Sequence, residues 1–276
     1  MLERLKYISG TNENVKMPFG ENGIYVNYND LRDYEWGYDV VNGKISSFKK
    51  EIKERTLPVI IKAGSEEEGL QIKNALYEIA EKDVLNETHG KIVIGDYYLK
   101  CFIIGSKKKN YLIDKGYLEV ELKIATDLPM WTKETNTPFR AGQVTTVGQN
   151  KDFPHDYAYD YANGAQNAPL LNSGIADADF EIMIFGACKN PMIVIGSHIY
   201  SVDTELVTGE RLIINSKEKK VYKIKLNGDP VNQFNLRNRE YYIFKKISAG
   251  ANNVAWSGTF SFNVTLLEER SEPKWT

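Results

Sequence analysis

The sequence predicts a mainly β protein built from two domains, and three observations carry that expectation. Tyrosine is abundant, with 17 among 276 residues, and aromatic side chains suit the pleated, half-buried surface of a sheet. Apolar and polar positions alternate with period two along much of the chain, which turns one face of a strand inward and the other outward. Only the stretch after Ser65 carries the 3.6-residue period of a helix. A chain of 276 residues exceeds one sandwich or small barrel, so two domains of roughly 120–150 residues are expected.

Residues 23–62 read as short strands with turn punctuation. Within them, Val40-Val41-Asn42-Gly43-Lys44-Ile45 reads as a hairpin, because Asn-Gly takes the positive φ angles of a two-residue turn. Ser65-Glu66-Glu67-Glu68 reads as a capping box. Ser65 accepts from the Glu68 amide, and the Glu68 side chain returns to the Ser65 amide. Downstream, Ile72, Leu76 and Ile79 with Ala75 and Ala80 form one apolar helix face that packs on a sheet. Strands are expected at 91–94 and 97–104, with Lys107-Lys108-Lys109-Asn110 as the basic tip of a hairpin. Val120, Leu122 and Ile124 then alternate with Glu119, Glu121 and Lys123 in a half-buried strand that closes the first domain, residues 1–135.

Residues 136–170 lose this periodicity and collect Pro, Gly, Asn, Asp and Gln, the composition of a linker or extended segment. Tyr157, Tyr159 and Tyr161 fall at every second position there, so an extended arm would present three rings on one face to a partner. Residues 171–276 read as strands throughout. Phe180, Ile182 and Ile184 alternate with Glu181 and Met183; Tyr222, Ile224 and Leu226 with Lys223 and Lys225; Phe260, Phe262, Val264 and Leu266 with Thr259, Ser261, Asn263 and Thr265. An antiparallel sandwich is the natural architecture.

Composition excludes several functions. Lys plus Arg total 35 against 37 Asp plus Glu, a formal charge of -2 with both signs interspersed, so the basic face of a nucleic-acid binder is not expected. Cys101 and Cys188 lie in apolar runs and read as reduced core thiols. The start, Met1-Leu2-Glu3-Arg4-Leu5-Lys6, has no signal-peptide character, and no apolar run nears the ~18 residues of a membrane span. His89, His155 and His198 stand beside no nucleophile motif. No Cys or His pair has zinc-ligand spacing, and no phosphate-binding glycine loop occurs. The pairs Asp156 with Asp160 and Glu119 with Glu121 are of a kind common by chance. No catalytic residue, cofactor or metal is expected.

The order of features resembles the distal tail proteins of long-tailed bacteriophages over nearly the whole chain. In the first half, Trp36-Gly37-Tyr38 leads into the Asn42-Gly43 hairpin, and Glu54-Arg55-Thr56-Leu57-Pro58-Val59-Ile60-Ile61 precedes the helix. In the second, NSGIADADFEIMIFGACKNPMIVI (172–195) is similar to the family's small-residue entry and two strands, RLIINSKEKKVYKIKLNG (211–228) to its central hairpin, and ISAGANNVAWSG (247–258) to its turn before the last strand. The resemblance implies a ring-forming N-terminal belt domain, hexameric around a channel, and a projecting galectin-like β-sandwich. It implies a structural protein of the virion tail that joins the tail tube to the baseplate or tail tip. Its implied neighbours are copies of itself, the major tail tube protein, the tail-associated hub protein and the tape-measure protein, with receptor-binding protein at the side in some phages. Residues 135–170 match no pattern of the family.

Interface candidates are Trp36, Tyr38, Lys107, Lys108 and Lys109 for the ring, and Tyr157, Tyr159 and Tyr161 for a contact between domains or subunits. The alternative reading is a carbohydrate-binding module, for which Asn235, Arg237, Asn238 and Arg239 offer suitable groups, although His198 lies far off in sequence and Trp256 lacks the Glu and Arg expected shortly after it. A tail or wall hydrolase and a different tail component are further rivals.

Overall fold

The computed structural model of the chain describes residues 4–20, 23–112, 117–142 and 166–275. They form two compact units, Met1–Lys133 with Glu269–Thr276, and Glu134–Glu268. His155, Asp156, Tyr157, Tyr159, Asp160 and Tyr161 lie outside the described residues.

The first unit contains β1 (Leu5–Ile8), β2 (Lys16–Phe19), β3 (Ile24–Val26), β4 (Gly37–Val41), β5 (Lys44–Lys49), β6 (Lys53–Lys62), α1 (Glu66–Leu85), β7 (Gly90–Ile94), β8 (Tyr97–Leu112), β9 (Tyr117–Thr126) and the start of β10 (Trp131–Phe139). Its antiparallel order β2-β1-β7-β8-β9-β6-β3 wraps round until β2 and β3 meet at their own turn, where the Gly20 amide donates to Ile24 O at 2.6 Å. Alternation in β6 drives the inner face: Leu57, Val59 and Ile61 are buried opposite Leu122, Val120 and Leu118 of β9. Leu99, Cys101 and Ile103 of β8 complete it.

The expected strand at 97–104 is too short. β8 runs on to Leu112, so Lys107 and Lys108 are not a loop tip but lie within the strand, paired with Glu121 and Val120, and Lys109 reaches Glu121 at 3.1 Å. Two register shifts, after Ile103 and after Lys108, let β8 bend as it continues. Glu and Lys opposite one another make a polar outer face viable as strand, a pairing that single-strand periodicity does not reveal.

At the helix start, Ser65 Oγ accepts from the Glu68 amide at 3.2 Å as expected. The returning Glu68 carboxylate instead takes the Gly64 amide, at 2.8 Å, one residue earlier than a reciprocal box requires. Leu76 and Ile79 are buried, with Ile72 and Ala80 packed beside them, while Ala75 is exposed. On the same inward face sits a group the periodicity does not announce, Asp83. Its carboxylate accepts from Tyr7 Oη and Ser9 Oγ, each at 2.7 Å, and from the amides of Gly10 at 3.1 Å and Thr11 at 2.9 Å. The last turn of α1 is thereby locked to β1 and the loop after it. Gly90 is required by the same arrangement, since a Cβ there would lie 2.0 Å from Tyr7 Oη.

The second unit contains the rest of β10, β11 (Gln166–Asn172), β12 (Asp179–Phe185), β13 (Cys188–Lys189), β14 (Met192–Ile195), β15 (His198–Ser201), β16 (Glu205–Leu206), β17 (Arg211–Asn215), β18 (Lys220–Ile224), β19 (Pro230–Asn232), β20 (Gly250–Trp256) and β21 (Ser261–Arg270). Two antiparallel sheets, β19-β18-β17-β12-β21 and β11-β20-β14-β15, enclose one core. Ile182, Leu212, Phe262 and Val264 come from the first sheet; Leu170, Ile193, Tyr200, Val254 and Trp256 come from the second. Phe139 stacks on Phe262 at 4.7 Å and meets Trp256 edge-on at 5.7 Å.

The strand phases of β12 and β21 are as the sequence predicts, but β18 is one residue out. Val221 is the buried residue, opposite Ile214, and Leu226 lies beyond the strand, exposed. Asp179 opens β12, buried, accepting from Ser216 Oγ at 2.8 Å and pairing with Lys246 Nζ at 2.8 Å. Both thiols are free. Burial pushes Cys101 up to about 12 and Cys188 up to about 11, so both are protonated near neutral pH.

Burial alone would raise the Asp83 pKa, yet the hydrogen bonds from Thr11, Tyr7, Ser9 and Gly10 together hold it below the ordinary carboxylate range. With the folded pKa below the unfolded value of about 3.9, the stabilisation is complete above that pH and is lost as pH falls through the folded pKa. Asp83→Asn is expected to lose about 2–4 kcal/mol at pH 7, because it faces buried donors with an amide. Its stability should also change less than that of the wild type from about pH 4 downward. Urea melts at pH 7 and pH 3 measure both.

Candidate assembly interface

The β4–β5 hairpin is the exception to the packing of the first unit. Its strands form a two-stranded sheet of their own, and among the described residues no third strand joins them. Asn42 (φ 51°) and Gly43 (φ 73°) make the turn, both in the left-handed region that a two-residue hairpin of matching twist demands. Such a ribbon is marginal in water by itself.

What the ribbon presents is set by one bulge. Tyr38 pairs with Phe48 and Val40 with Ile45, with a register shift between Asp39 and Val40 that leaves an extra residue on β5. Tyr38 and Val40 are two apart and share a face. Ile45 and Phe48 are three apart, which regular alternation would send to opposite faces; the extra residue restores both to the side of their partners. All four are more than half exposed, from 54% at Ile45 to 64% at Phe48. Tyr34 and Trp36 extend the same every-second-residue series towards the root and are also exposed. Burying each such side chain stabilises an interface by roughly 1.5–3 kcal/mol relative to leaving it in water.

The opposite face carries Val41 beside the turn and otherwise polar groups that satisfy one another. Asp39 accepts from Ser47 Oγ at 2.8 Å and Lys49 Nζ at 3.1 Å. Those two partners, Ser47 first, hold the Asp39 carboxyl below its usual range, and Asp39 followed by Glu51 raises Lys49. At the root, the Lys50 ammonium lies 4.3 Å from the Trp36 ring centre and 5.2 Å from that of Tyr34, and donates to Glu35 O at 2.9 Å. Partial burial lowers the Lys50 pKa, with the Arg55 and Lys53 charges adding to it. Lys53 bridges to Glu35 at 2.8 Å. The clip orders the stem while the apolar face stays uncovered.

Of the residues singled out from sequence, Trp36 and Tyr38 therefore stand together on this surface. Lys107, Lys108 and Lys109 lie on β8 instead, and Tyr157, Tyr159 and Tyr161 lie outside the described residues. Val40, Ile45 and Phe48 escaped sequence reasoning because the bulge conceals their common face. The series Tyr34, Trp36, Tyr38, Val40 was the available signal.

Groups with chemical potential are occupied elsewhere. His89 Nε2 contacts Asp127 Oδ1 at 2.8 Å, and His198 Nε2 contacts Tyr242 O at 2.9 Å. Glu119 accepts from Tyr117 Oη and Glu121 pairs with Lys109. Among the described residues no cluster of three or more His, Cys, Asp or Glu side chains is placed to hold a metal.

No family model and no curated protein matches the chain. Solved structures do. The SPP1 Dit protein, described as a paradigm of hub adsorption apparatus in phages that infect Gram-positive hosts, is 12% identical with a TM-score of 0.58, over 96% of this chain and 99% of its own. A chain of the phage P2 baseplate in its activated conformation with Ca is 11% identical with a TM-score of 0.63, over 99% of this chain and all of its own. The same baseplate with Sr gives 11% and 0.61. At this identity the likeness is one of fold, and it spans both units.

Val40→Asp combined with Phe48→Asp is expected to leave the thermal midpoint within about 2 °C, since neither side chain contributes to the core, and a melting curve checks it.

Proposed function

We propose that this chain is a non-catalytic structural subunit of a bacteriophage tail, a distal tail protein whose copies form a ring of six joining the tail tube to the baseplate or tail tip. The observation that carries the reading is the uncovered apolar face of the β4–β5 hairpin, where Tyr38, Val40, Ile45 and Phe48 stand exposed together. A monomeric function leaves that face unexplained, whereas a subunit interface of large aromatic and aliphatic side chains uses it. Likeness of fold to phage hub and baseplate proteins, end to end on both chains, supports the same setting.

On this reading the first unit, with one helix outside a wrapped sheet, makes the ring, and the second is the projecting galectin-like domain. The neighbours are the major tail tube protein, the tail-associated hub protein and the tape-measure protein, with receptor-binding protein at the side in some tails, and the protein resides in the virion tail.

Trp256 offers the carbohydrate-module alternative no stacking platform. Trp256 is only 5% exposed and donates its indole N–H to Phe260 O at 3.1 Å, so no sugar stacks on it. Arg237 lies over the Phe234 ring at 3.8 Å and donates to Phe234 O at 2.6 Å, closing a local turn.

Purified protein at micromolar concentration is expected to scatter light as six chains and to appear as rings in negative stain. A monomer at every concentration that also binds host wall polysaccharide would move the assignment to the carbohydrate module.

A further inference from the structure

Two turns of the fold share one dipeptide and hold it differently. The sequence has four Asn-Gly pairs, and two of them, Asn42-Gly43 and Asn227-Gly228, lie wholly within the described residues. Both pairs are exposed, and a Cβ at either glycine would meet nothing within 4 Å, so solvent access does not separate them. Hydrogen bonding does. The Gly228 amide donates to Lys225 O at 2.9 Å, Asn227 Nδ2 donates to Asp229 Oδ2 at 2.6 Å, and Asn227 Oδ1 accepts from the Asp229 amide at 3.1 Å. At the other turn, neither the Asn42 side chain nor the Gly43 amide has a hydrogen-bond partner among the described residues. The backing differs too. Asn227-Gly228 joins β18 to β19 in a sheet that continues through β17, β12 and β21, whereas Asn42-Gly43 caps a two-stranded ribbon. A ribbon of that kind opens at its tip at little cost.

The side chain of asparagine and the amide nitrogen that follows it are the two reactants of deamidation. The glycine nitrogen, giving up its proton to hydroxide, attacks Asn Cγ; the N–Cγ bond forms, the Cγ–Nδ2 bond breaks, and ammonia leaves with a proton taken from water. A cyclic imide results. Water opens it at either carbonyl, leaving aspartate, or isoaspartate whose main chain runs through Cγ and is one carbon longer. Glycine has no Cβ to hinder the attack. At Asn227 both nucleophile and electrophile are tied by hydrogen bonds, and at Asn42 both are free. We infer that Asn42 is a site of spontaneous deamidation and that Asn227, with the same dipeptide, is protected from it.

The consequence falls on the apolar face of the hairpin. Val41 pairs with Lys44 across a two-residue turn, and the bulge beyond sets Val40 against Ile45 and Tyr38 against Phe48. An extra main-chain carbon at residue 42 does not fit that turn, and turn length fixes the register of a hairpin. Resting on the reading that this face is a subunit interface, isoaspartate at position 42 removes a chain from assembly, so an unassembled subunit has a limited lifetime.

Full-length protein is held in mildly alkaline buffer with and without denaturing urea, and aspartate and isoaspartate are counted at each site by peptide mapping with mass spectrometry. In the folded protein Asn42 is expected to convert about 10-fold faster than Asn227, a factor within reach of three hydrogen bonds of ordinary net strength. In urea the two rates should converge. Asp229→Ala, which removes the acceptor of Asn227 Nδ2, should raise conversion at Asn227 several-fold and leave Asn42 as it was. Equal rates in the folded protein, or faster conversion at Asn227, would overturn the assignment. Light scattering on fractions separated by charge reads the consequence: chains carrying isoaspartate at position 42 that associate as freely as fresh ones would overturn that step. Mass spectrometry reads the modification whether or not the protein assembles, so a wild type that never self-associates removes the ring and leaves the site standing.

Discussion

One buried carboxylate holds the first unit in register. Asp83 is fully enclosed and has no cationic partner among its described contacts, so its charge is balanced by four donors from residues 7–11. Two of those donors are backbone amides of the loop after β1, which Thr11 Oγ1 also ties to the helix by donating to Lys82 O at 3.4 Å. The carboxylate therefore dictates where α1 ends on the sheet, and the close approach of Tyr7 to Gly90 follows from it. With one face of α1 committed in this way, Leu70, Tyr77 and Val84 are left turned outward.

The hairpin follows the opposite logic. It has no core of its own, and its order comes from the Asn42-Gly43 turn, the Asp39 contacts on the polar face, and the Lys50 clip on Trp36 and Tyr34. A single bulge gathers Tyr38, Val40, Ile45 and Phe48 on one side. A ribbon held stiff at its stem loses less conformational freedom when its face is covered, which favours association over a floppy arm of the same composition.

The second unit is built for stability with little exposed reactivity. Asp179, Ser216, Lys246 and the Phe180 amide form one chain of polar contacts at the start of β12. Aromatic rings from Phe139, Trp256 and Phe262 fill the space between the sheets. Its Trp256 is structural, and its His198 is engaged with a backbone carbonyl.

The sequence by itself determined the β class, the helix after Ser65 with its cap, the Asn42-Gly43 turn and the inward faces of β9, β12 and β21, because these are local matters of period, turn chemistry and capping. It also singled out Trp36 and Tyr38. Tertiary structure decided the rest. The length of β8 depended on Glu119 and Glu121 of another strand making a polar lysine run acceptable as β structure. The phase of β18 depended on whether Val221 or Tyr222 met the partner sheet. The role of Asp83 depended on four donors from residues 7–11 converging on it. Ile45 and Phe48 became a single surface only through an extra residue in a strand pairing. In each case the deciding energy is a contact between residues distant in the chain or across a strand pair, and periodicity within one segment carries no trace of it.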